Sequence, residues 1–392
     1  MKSLSQNPRL VCTFHALQMS LFPMAIISVF YTREIGMSVQ EIMWLQGSFG
    51  LAMLLLEFPS GYLADRIGYR RSLIIASFTQ ILGWGIYAWA TTFPQIVVAE
   101  MILGGGFALV SGSDQALLYE SLLETDQEEL YAKWSGRMKF WGQFGEGSAA
   151  VFAGSLYAFA NRSPFLLEMA VWLVAIVVAF RIVEPSRHRP PIKDNWAQIK
   201  RMLRRVMVDS PTLRVTFFTI ILFGMASFIP VWTIQLYALE GGLNEFWLGP
   251  LWAVANYAVA FGAIISHRLS KSWGTKKVLL VCAALVVGGY LGLGLSYGLF
   301  GFMFYYALTL SRGLFNPILQ HEEQRLITSE DRAGFLSLRS LCFRGIFLLT
   351  APLIGMLMDQ NGQHSVFLGL TGIFAVLVLI GVSKLIKYDV IR

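Results

Sequence analysis

The sequence predicts an all-α integral membrane protein, and composition, segment length and charge placement each support this class. Of the 392 residues, 55% are hydrophobic and 14% are charged, and the mean hydropathy is +0.58. A soluble domain carries about 25% charged residues. A run of about 20 apolar residues spans a bilayer, and the chain has room for about twelve such runs.

The predicted spans follow one another with short connections. The first span, 10–32, is too long for the core of a signal peptide and has no small-residue cleavage site after it. We predict the twelve spans at 10–32, 39–61, 72–91, 94–119, 136–159, 164–182, 213–239, 245–267, 277–296, 299–321, 336–358 and 365–386.

The basic residues indicate the orientation of these spans. With a cytoplasmic N-terminus, all but four of the 31 lysines and arginines fall in predicted cytoplasmic segments. Arg33 and Arg162 fall outside, and Arg312 and Arg344 fall within spans. This asymmetry follows the positive-inside rule and predicts that both termini are cytoplasmic. The net charge of +7 then reflects topology and attraction to anionic lipid, and we expect no nucleic-acid partner.

One long connection divides the chain. We predict a first six-helix bundle at 1–183, a cytoplasmic linker at 184–211 and a second six-helix bundle at 212–392. The linker is rich in Arg and Lys, and its apolar residues recur at helical spacing, which predicts a basic amphipathic helix on the membrane surface. These apolar residues are Trp196, Ile199, Met202, Leu203 and Val206.

The two bundles look like copies of one unit. Span 1 contains S-L-F-P at 20–23, and span 7 contains S-F-I-P at 227–230. The turn at 61–71 aligns with 267–277, and Gly68 falls on Gly274. The alignment predicts a duplicated six-span unit.

The stretch from Glu57 to Arg71 reads E-F-P-S-G-Y-L-A-D-R-I-G-Y-R-R. It resembles the loop between the second and third helices of major facilitator superfamily (MFS) transporters. The resemblance covers essentially the whole chain and implies a twelve-helix secondary transporter built from two pseudo-symmetric bundles. It also implies that this loop helps to close the cytoplasmic side, with Asp65 approaching the start of helix 11.

The predicted gating residues combine this loop with two duplicated acid–base pairs at the cytoplasmic ends of the spans. The pairs either form a lock that joins the halves in one state or are ordinary surface charges. The full set is Gly61, Asp65, Arg66, Gly68, Arg70, Glu120, Arg137, Glu322 and Arg339.

Four ionisable residues lie deep within predicted spans, where charge is costly and indicates function. Asp114 and Glu146 lie in the first half, and Arg312 and Arg344 in the second. We expect the two acids to carry protons and the two arginines to bind an anionic part of a substrate. The alternative is that all four form structural ion pairs. Glu100 and Glu168 are expected at the outer rim.

Polar and aromatic residues accompany these charges at helical spacing. Arg312, Asn316 and Gln320 form an i, i+4, i+8 stripe. His15 shares a face of helix 1 with Gln18 and Phe22. In MFS transporters helices 1, 4, 7 and 10 line the central cavity, so the resemblance implies a polar site there. The predicted substrate-binding residues are Arg312, Arg344, Asn316, Gln18, Phe22, Trp232, Gln235, Asn256 and Gln143.

The function predicted from these features is proton-coupled transport of a small anionic or zwitterionic molecule, with export favoured. The chain has no Walker sequence, and we expect no enzyme activity, no metal and no cofactor beyond a proton gradient. Span 4 lacks the arginine, and span 5 the Gly-Pro pair, that drug–proton antiporters usually carry; residues 111–122 and 332–339 instead resemble a subgroup of bacterial exporters. Efflux of lipophilic cations and flipping of lysophospholipids remain the alternatives. We expect a monomer in a bacterial inner membrane, in contact with lipids.

Overall fold

The computed structural model describes residues 3–186, 195–327 and 332–391, and every regular element in those ranges is a helix. Of residues 57–59, 61, 62, 65, 132, 195–199 and 332–334 only the backbone is described. The side chain of Asp65 and its predicted contact with helix 11 therefore lie outside the described structure, as does the conformation of linker residues 187–194.

The described residues form sixteen α-helices, and each of the twelve predicted spans is helical over most of its length. In the first half they are α1 Asn7–Gln18, α2 Ile27–Phe30, α3 Val39–Ile67, α4 Tyr69–Trp89, α5 Phe93–Val110, α6 Ser113–Glu124, α7 Tyr131–Phe159 and α8 Ser163–Arg181. In the second half they are α9 Asn195–Arg204, α10 Pro211–Phe228, α11 Ile234–Glu240, α12 Leu248–Trp273, α13 Thr275–Leu295, α14 Gly298–Arg325, α15 Arg332–Asn361 and α16 Gln363–Lys387.

Nine helices of the described chain are long and apolar enough to cross a membrane, and a bent segment over Leu4–Ile35 makes a tenth. The protein is therefore an integral membrane protein. Helices α7 and α14 have the length but not the apolar character. They carry Glu146 and Arg312, two of the predicted site residues. The count of twelve crossings stays a prediction.

Three predicted spans are interrupted: the fourth at Ser111 and Gly112 between α5 and α6, and the first and seventh at a proline. In the first, α1 is followed by a 3-10 turn over Phe22–Ala25 and then by α2, with a bend of 47°. In the seventh, a 3-10 turn over Ile229–Trp232 separates α10 from α11. Each turn contains the proline of the repeated motif, Pro23 or Pro230, which has no N–H to continue a helix. The sequence repeat therefore marks the same break in both copies.

The described residues pack as two compact units. Unit 1 holds those within 1–37, 44–190 and 244–253, and unit 2 holds those within 38–43, 191–243 and 254–392. In unit 1, α4 packs against α5 and α8, and in unit 2 α13 packs against α14 and α16. Helices α4 and α13 thus have corresponding neighbours, as expected for a duplicated bundle.

The linker contains the predicted helix in part. Helix α9 spans Asn195–Arg204, continues into a π turn over Arg205–Asp209 and packs against α15. Met202 and Val206 are buried, as the spacing predicts, whereas Leu203 is 39% exposed.

Candidate functional site

A cavity of about 330 Å³ lies within unit 2 between α10, α14 and α15. Its walls are apolar except for a polar stripe from α14 and three polar residues from α10 and α15. The lining residues are Ile220, Ile221, Gly224, Ser227, Phe228, Arg312, Phe315, Asn316, Gln320, Leu336, Arg339, Ser340 and Phe343.

The predicted stripe on α14 lies in the wall of this cavity. Gln320 Nε2 donates to Asn316 Oδ1 at 2.8 Å, one helical turn away. The side chain of Arg312 is exposed, and within the described ranges no hydrogen bond or ion pair engages its guanidinium. Arg312 therefore presents an uncompensated positive charge beside two amides.

A buried ion pair lies at the edge of the same cavity. Arg339 on α15 donates to the carboxylate of Glu323 on α14, whose side chain is 1% exposed. The predicted partner, Glu322, accepts from Arg325 at 2.9 Å instead. Successive residues of an α-helix point about 100° apart, so Glu322 and Glu323 cannot both face α15.

The other second-half candidates lie outside the cavity wall. Trp232 and Gln235 are buried near the break between α10 and α11, and Asn256 is half-buried on α12. Arg344 Nε donates to Ser340 Oγ at 3.2 Å, and Ser340 is part of the wall. Arg344 thus reaches the cavity through Ser340.

An acid–imidazole pair is the corresponding feature of unit 1. The Oδ2 of Asp114 lies 3.1 Å from Nδ1 of His15, and its Oδ1 accepts from the backbone N–H of Gln115 at 2.7 Å. Asp114 is 4% exposed and lies in the first turn of α6, where the helix dipole stabilises a carboxylate. Sequence reasoning placed both residues in spans but did not pair them.

A glycine on α7 makes room for this pair. A Cβ at Gly142 would lie 2.9 Å from the His15 ring, and one at Gly145 would lie 2.7 Å from the carbonyl oxygen of Ala16. The absence of side chains at both positions lets α7 approach α1 closely.

The remaining first-half candidates are spread over α1 and α7. Gln143 Nε2 lies 3.5 Å from Glu146 Oε2, about one helical turn away on α7. Gln18 is buried at the end of α1. Phe22 begins the 3-10 turn, and its backbone N–H donates to Glu168 Oε2 at 3.1 Å.

The expectation that Glu100 and Glu168 lie at the rim is wrong, because both are buried. Glu100 accepts from the hydroxyls of Tyr31 and Tyr87, which are themselves 2.6 Å apart. Glu168 accepts from Trp172 Nε1 at 3.1 Å as well as from Phe22. A buried carboxyl needs such donors, and spacing along one helix did not reveal them.

The predicted turn at 61–71 is shorter than expected. Helix α3 continues to Ile67, and only Gly68, at φ 119°, separates it from α4. Gly274 occupies the aligned position before α13 at φ 83°. These positive φ values explain why both copies have glycine there.

The first turn of α4 is held by a residue that the sequence did not single out. The backbone N–H groups of Tyr69 and Arg70 each donate to one carboxylate oxygen of Glu184 at 2.8 Å. Arg70 Nη2 also donates to the carbonyl oxygen of Phe180 at 3.1 Å. The two carboxylate oxygens of Glu184 therefore cap the first turn of α4, at the end of the 61–71 motif.

The last predicted gating pair does not meet within unit 1 as an ion pair. Arg137 is exposed and stacks over Trp134, with its Cζ 4.9 Å from the ring centroid. Glu120 is half-buried near the end of α6, and Arg66 is exposed at the end of α3. The gating role of these residues stays a prediction.

A serine-hydrolase pattern, G-x-S-x-G, occurs at 294–298. Here it connects α13 to α14, whereas a nucleophile elbow connects a strand to a helix. The Ser296 carbonyl accepts from the Tyr237 hydroxyl. The segment is therefore an interhelical turn.

Apolar helices around a polar, cation-bearing cavity are typical of membrane proteins that move polar solutes. Residues 10–322 match the family model described as Major Facilitator Superfamily. The chain belongs to this superfamily of transporters. Its matches span less than half the length of the first curated relatives.

Similar proteins agree with this assignment. The chain is 27% identical over 165 residues to the vesicular acetylcholine transporter unc-17 of Caenorhabditis elegans. This alignment covers 40% of this chain and 30% of that protein. It is 24% identical over 286 residues to the methylenomycin A resistance protein of Bacillus subtilis, and that alignment covers 70% of this chain and 54% of the resistance protein. A variant of the nucleoside transporter NupG superposes with a TM-score of 0.82 at 12% identity, covering 96% and 99%. This last likeness shows the fold alone.

Proposed function

We propose that this protein is a proton-coupled secondary transporter that moves a small anionic or zwitterionic molecule by alternating access, with export favoured. The observation that carries the proposal is Arg312. It is exposed on a span helix, lines the cavity of unit 2 and has no ion-pair partner among the described residues. A charge in this setting is costly to the fold and is explained by a ligand that neutralises it.

The surroundings of Arg312 support a small polar substrate. Asn316 and Gln320 supply amide donors and acceptors on the same face, and Ser340 adds a hydroxyl. Ligand pockets typically have volumes of about 300–1,000 Å³, and this cavity lies at the lower end of that range. A guanidinium binds a carboxylate or phosphate through two parallel hydrogen bonds, so a carboxylate-rich metabolite such as a siderophore component is a fitting class.

The pair formed by Asp114 and His15 supports proton coupling. A carboxylate and an imidazole 3.1 Å apart can share one proton or hold two. Gaining a proton at Asp114 weakens its attraction for His15 and so changes the packing of α1 against α6. Glu146, with Gln143 beside it, is the second candidate carrier.

The test is a ligand screen by thermal stability on the purified protein. Ligands that bind only the folded state stabilise it by about 2.7 kcal/mol at a hundred times Kd. We expect polycarboxylates or hydroxamate and catechol chelators to stabilise the wild type and not Arg312→Gln. Arg325→Gln is the matched control, since Arg325 lies on the same helix and is exposed.

A second candidate function is efflux of cations. The relatives named above include a vesicular acetylcholine transporter and a resistance protein, and Asp114 offers a buried negative charge. Stabilisation by lipophilic cations that survives Arg312→Gln and is lost in Asp114→Asn would replace the anionic substrate with a cationic one.

The resistance relative also supports export. The direction is tested by transport of the stabilising ligand into proteoliposomes of each orientation under an imposed proton gradient. Under the proposal, His15→Gln and Asp114→Asn abolish the gradient dependence and leave ligand binding at Arg312 intact. A gradient dependence that survives both changes contradicts coupling at this pair. The proposed setting is a bacterial inner membrane.

A further inference from the structure

We propose that a groove on unit 2, between α10 and α16, binds an anionic phospholipid of the bilayer. The groove has a volume of about 290 Å³ and is distinct from the Arg312 cavity, with which it shares no lining residue. It has basic side chains at one end and apolar side chains along the rest of its length.

The basic end is formed by Arg214 and Lys384, each about one turn from the end of its helix. Arg214 Nη1 donates to the carbonyl oxygen of Met207 at 2.8 Å, which fixes its guanidinium without neutralising it. Within the described chain neither residue forms an ion pair. The nearby Asp209 lies 3.8 Å from Arg204. Two positive charges therefore converge on the groove.

The apolar part runs from these charges toward the middle of the spans. Phe218 and Leu222 follow Arg214 on α10, and Leu377 and Ile380 precede Lys384 on α16. Phe218, Leu377 and Ile380 are 38%, 43% and 46% exposed. From Arg214 to Leu222 the helix rises about 12 Å at 1.5 Å per residue, close to the roughly 15 Å depth of one leaflet's hydrocarbon.

This shape fits a lipid better than a soluble anion. A phosphate headgroup satisfies the two cations, and an acyl chain covers the exposed apolar strip. Basic pockets between membrane helices are known to bind anionic headgroups in this way. Gly381 lets α16 approach α10 closely beside the groove, since a Cβ there would lie 3.1 Å from the Thr219 hydroxyl oxygen.

The test measures lipid binding to the purified full chain by native mass spectrometry. The protein in detergent is titrated with dioleoylphosphatidylglycerol or dioleoylphosphatidylcholine. Each lysine or arginine near an anionic lipid surface strengthens binding about fivefold, so losing both should weaken phosphatidylglycerol binding about thirtyfold. We expect this loss in the double variant Arg214→Gln/Lys384→Gln, with phosphatidylcholine binding unchanged.

Two further variants make the result specific to the groove. The control Arg9→Gln/Arg181→Gln removes the same charge from the start of α1 and the end of α8, where both residues are exposed, and should leave binding intact. Leu377→Trp enlarges an exposed side chain of the groove wall with both cations in place and should weaken binding. An equal loss in the two double variants overturns the proposal, because it indicates general electrostatic attraction. Wild-type binding that does not distinguish the two lipids overturns it as well.

Discussion

At the scale of single residues, the buried carboxyl of Glu100 is satisfied by phenol hydroxyls from two other helical segments. Glu100 is 5% exposed and accepts hydrogen bonds from Tyr31 and Tyr87. An unsatisfied carboxyl in an apolar interior is costly, so the two phenols are as necessary to the fold as the acid. Glu100, Tyr31 and Tyr87 thus form one hydrogen-bonded cluster that joins three helical segments.

Removing one phenol hydroxyl should therefore destabilise the folded protein. We expect Tyr87→Phe to lower the free energy of unfolding by about 1–3 kcal/mol, since it removes a donor from a buried group. Equilibrium unfolding in detergent measures the change. Tyr257→Phe is the control, because Tyr257 is 47% exposed. Equal stability of the two variants would show that Glu100 does not depend on Tyr87.

The same cluster predicts non-additivity. The double variant Tyr31→Phe/Tyr87→Phe should differ from the sum of the single variants by about 0.5–3 kcal/mol, because the hydroxyls share one carboxyl and contact each other. Simple addition of the two effects would mean that the two phenols act independently.

At the scale of elements, close approach of α7 to α1 depends on glycines. A Cβ at Gly145 would lie 2.7 Å from the Ala16 carbonyl oxygen, which is backbone and cannot rotate away. We expect Gly145→Ala to destabilise the protein by about 1–3 kcal/mol through overpacking. On the same helix, a Cβ at Gly136 meets nothing within 4 Å, so Gly136→Ala should be neutral or stabilise by up to about 1 kcal/mol. Equal effects in denaturant unfolding would rule out the steric explanation.

The cap on α4 gives a second prediction for an element. Glu184→Ala leaves the N–H groups of Tyr69 and Arg70 without their acceptor. Loss of a helix cap costs about 0.5–2 kcal/mol, and we expect faster amide hydrogen exchange confined to the start of α4. Glu129→Ala, at an exposed carboxyl outside α4, should leave this exchange unchanged. Unaltered exchange in Glu184→Ala would show that the cap contributes little.

The sequence predicted which segments are helical but not how they pair. The length of the apolar runs located the predicted spans, because such a run must match the thickness of the bilayer's hydrocarbon core. The meeting of His15 with Asp114, 99 positions along the chain, depends on tertiary packing that no local pattern contains. Glu100 was misplaced because its position along α5 indicates depth and not the face it presents. The breaks at Pro23 and Pro230 were visible as a repeat, although their geometry was not predicted.

At the scale of the whole molecule, the charge asymmetry predicts how the chain crosses the membrane. Asn161 lies between α7 and α8 on the predicted outer side, and Lys276 lies in the first turn of α13 on the predicted inner side. In a background with Cys12, Cys282 and Cys342 replaced, a membrane-impermeant maleimide added to intact cells should label Asn161→Cys and not Lys276→Cys. Labelling of both, or the reverse pattern, contradicts the predicted topology.

The proline break recurs in both halves. The carbonyl of Ala226, which Pro230 cannot engage as a helical N–H would, accepts instead from the Tyr290 hydroxyl at 2.7 Å. In the second half, a side chain of another helix thus satisfies the carbonyl that the proline leaves without its helical partner. The two halves share the proline break but differ in their polar side chains, because one holds an acid–imidazole pair and the other holds Arg312 in its cavity. A common backbone interruption is therefore compatible with different chemistry in each half.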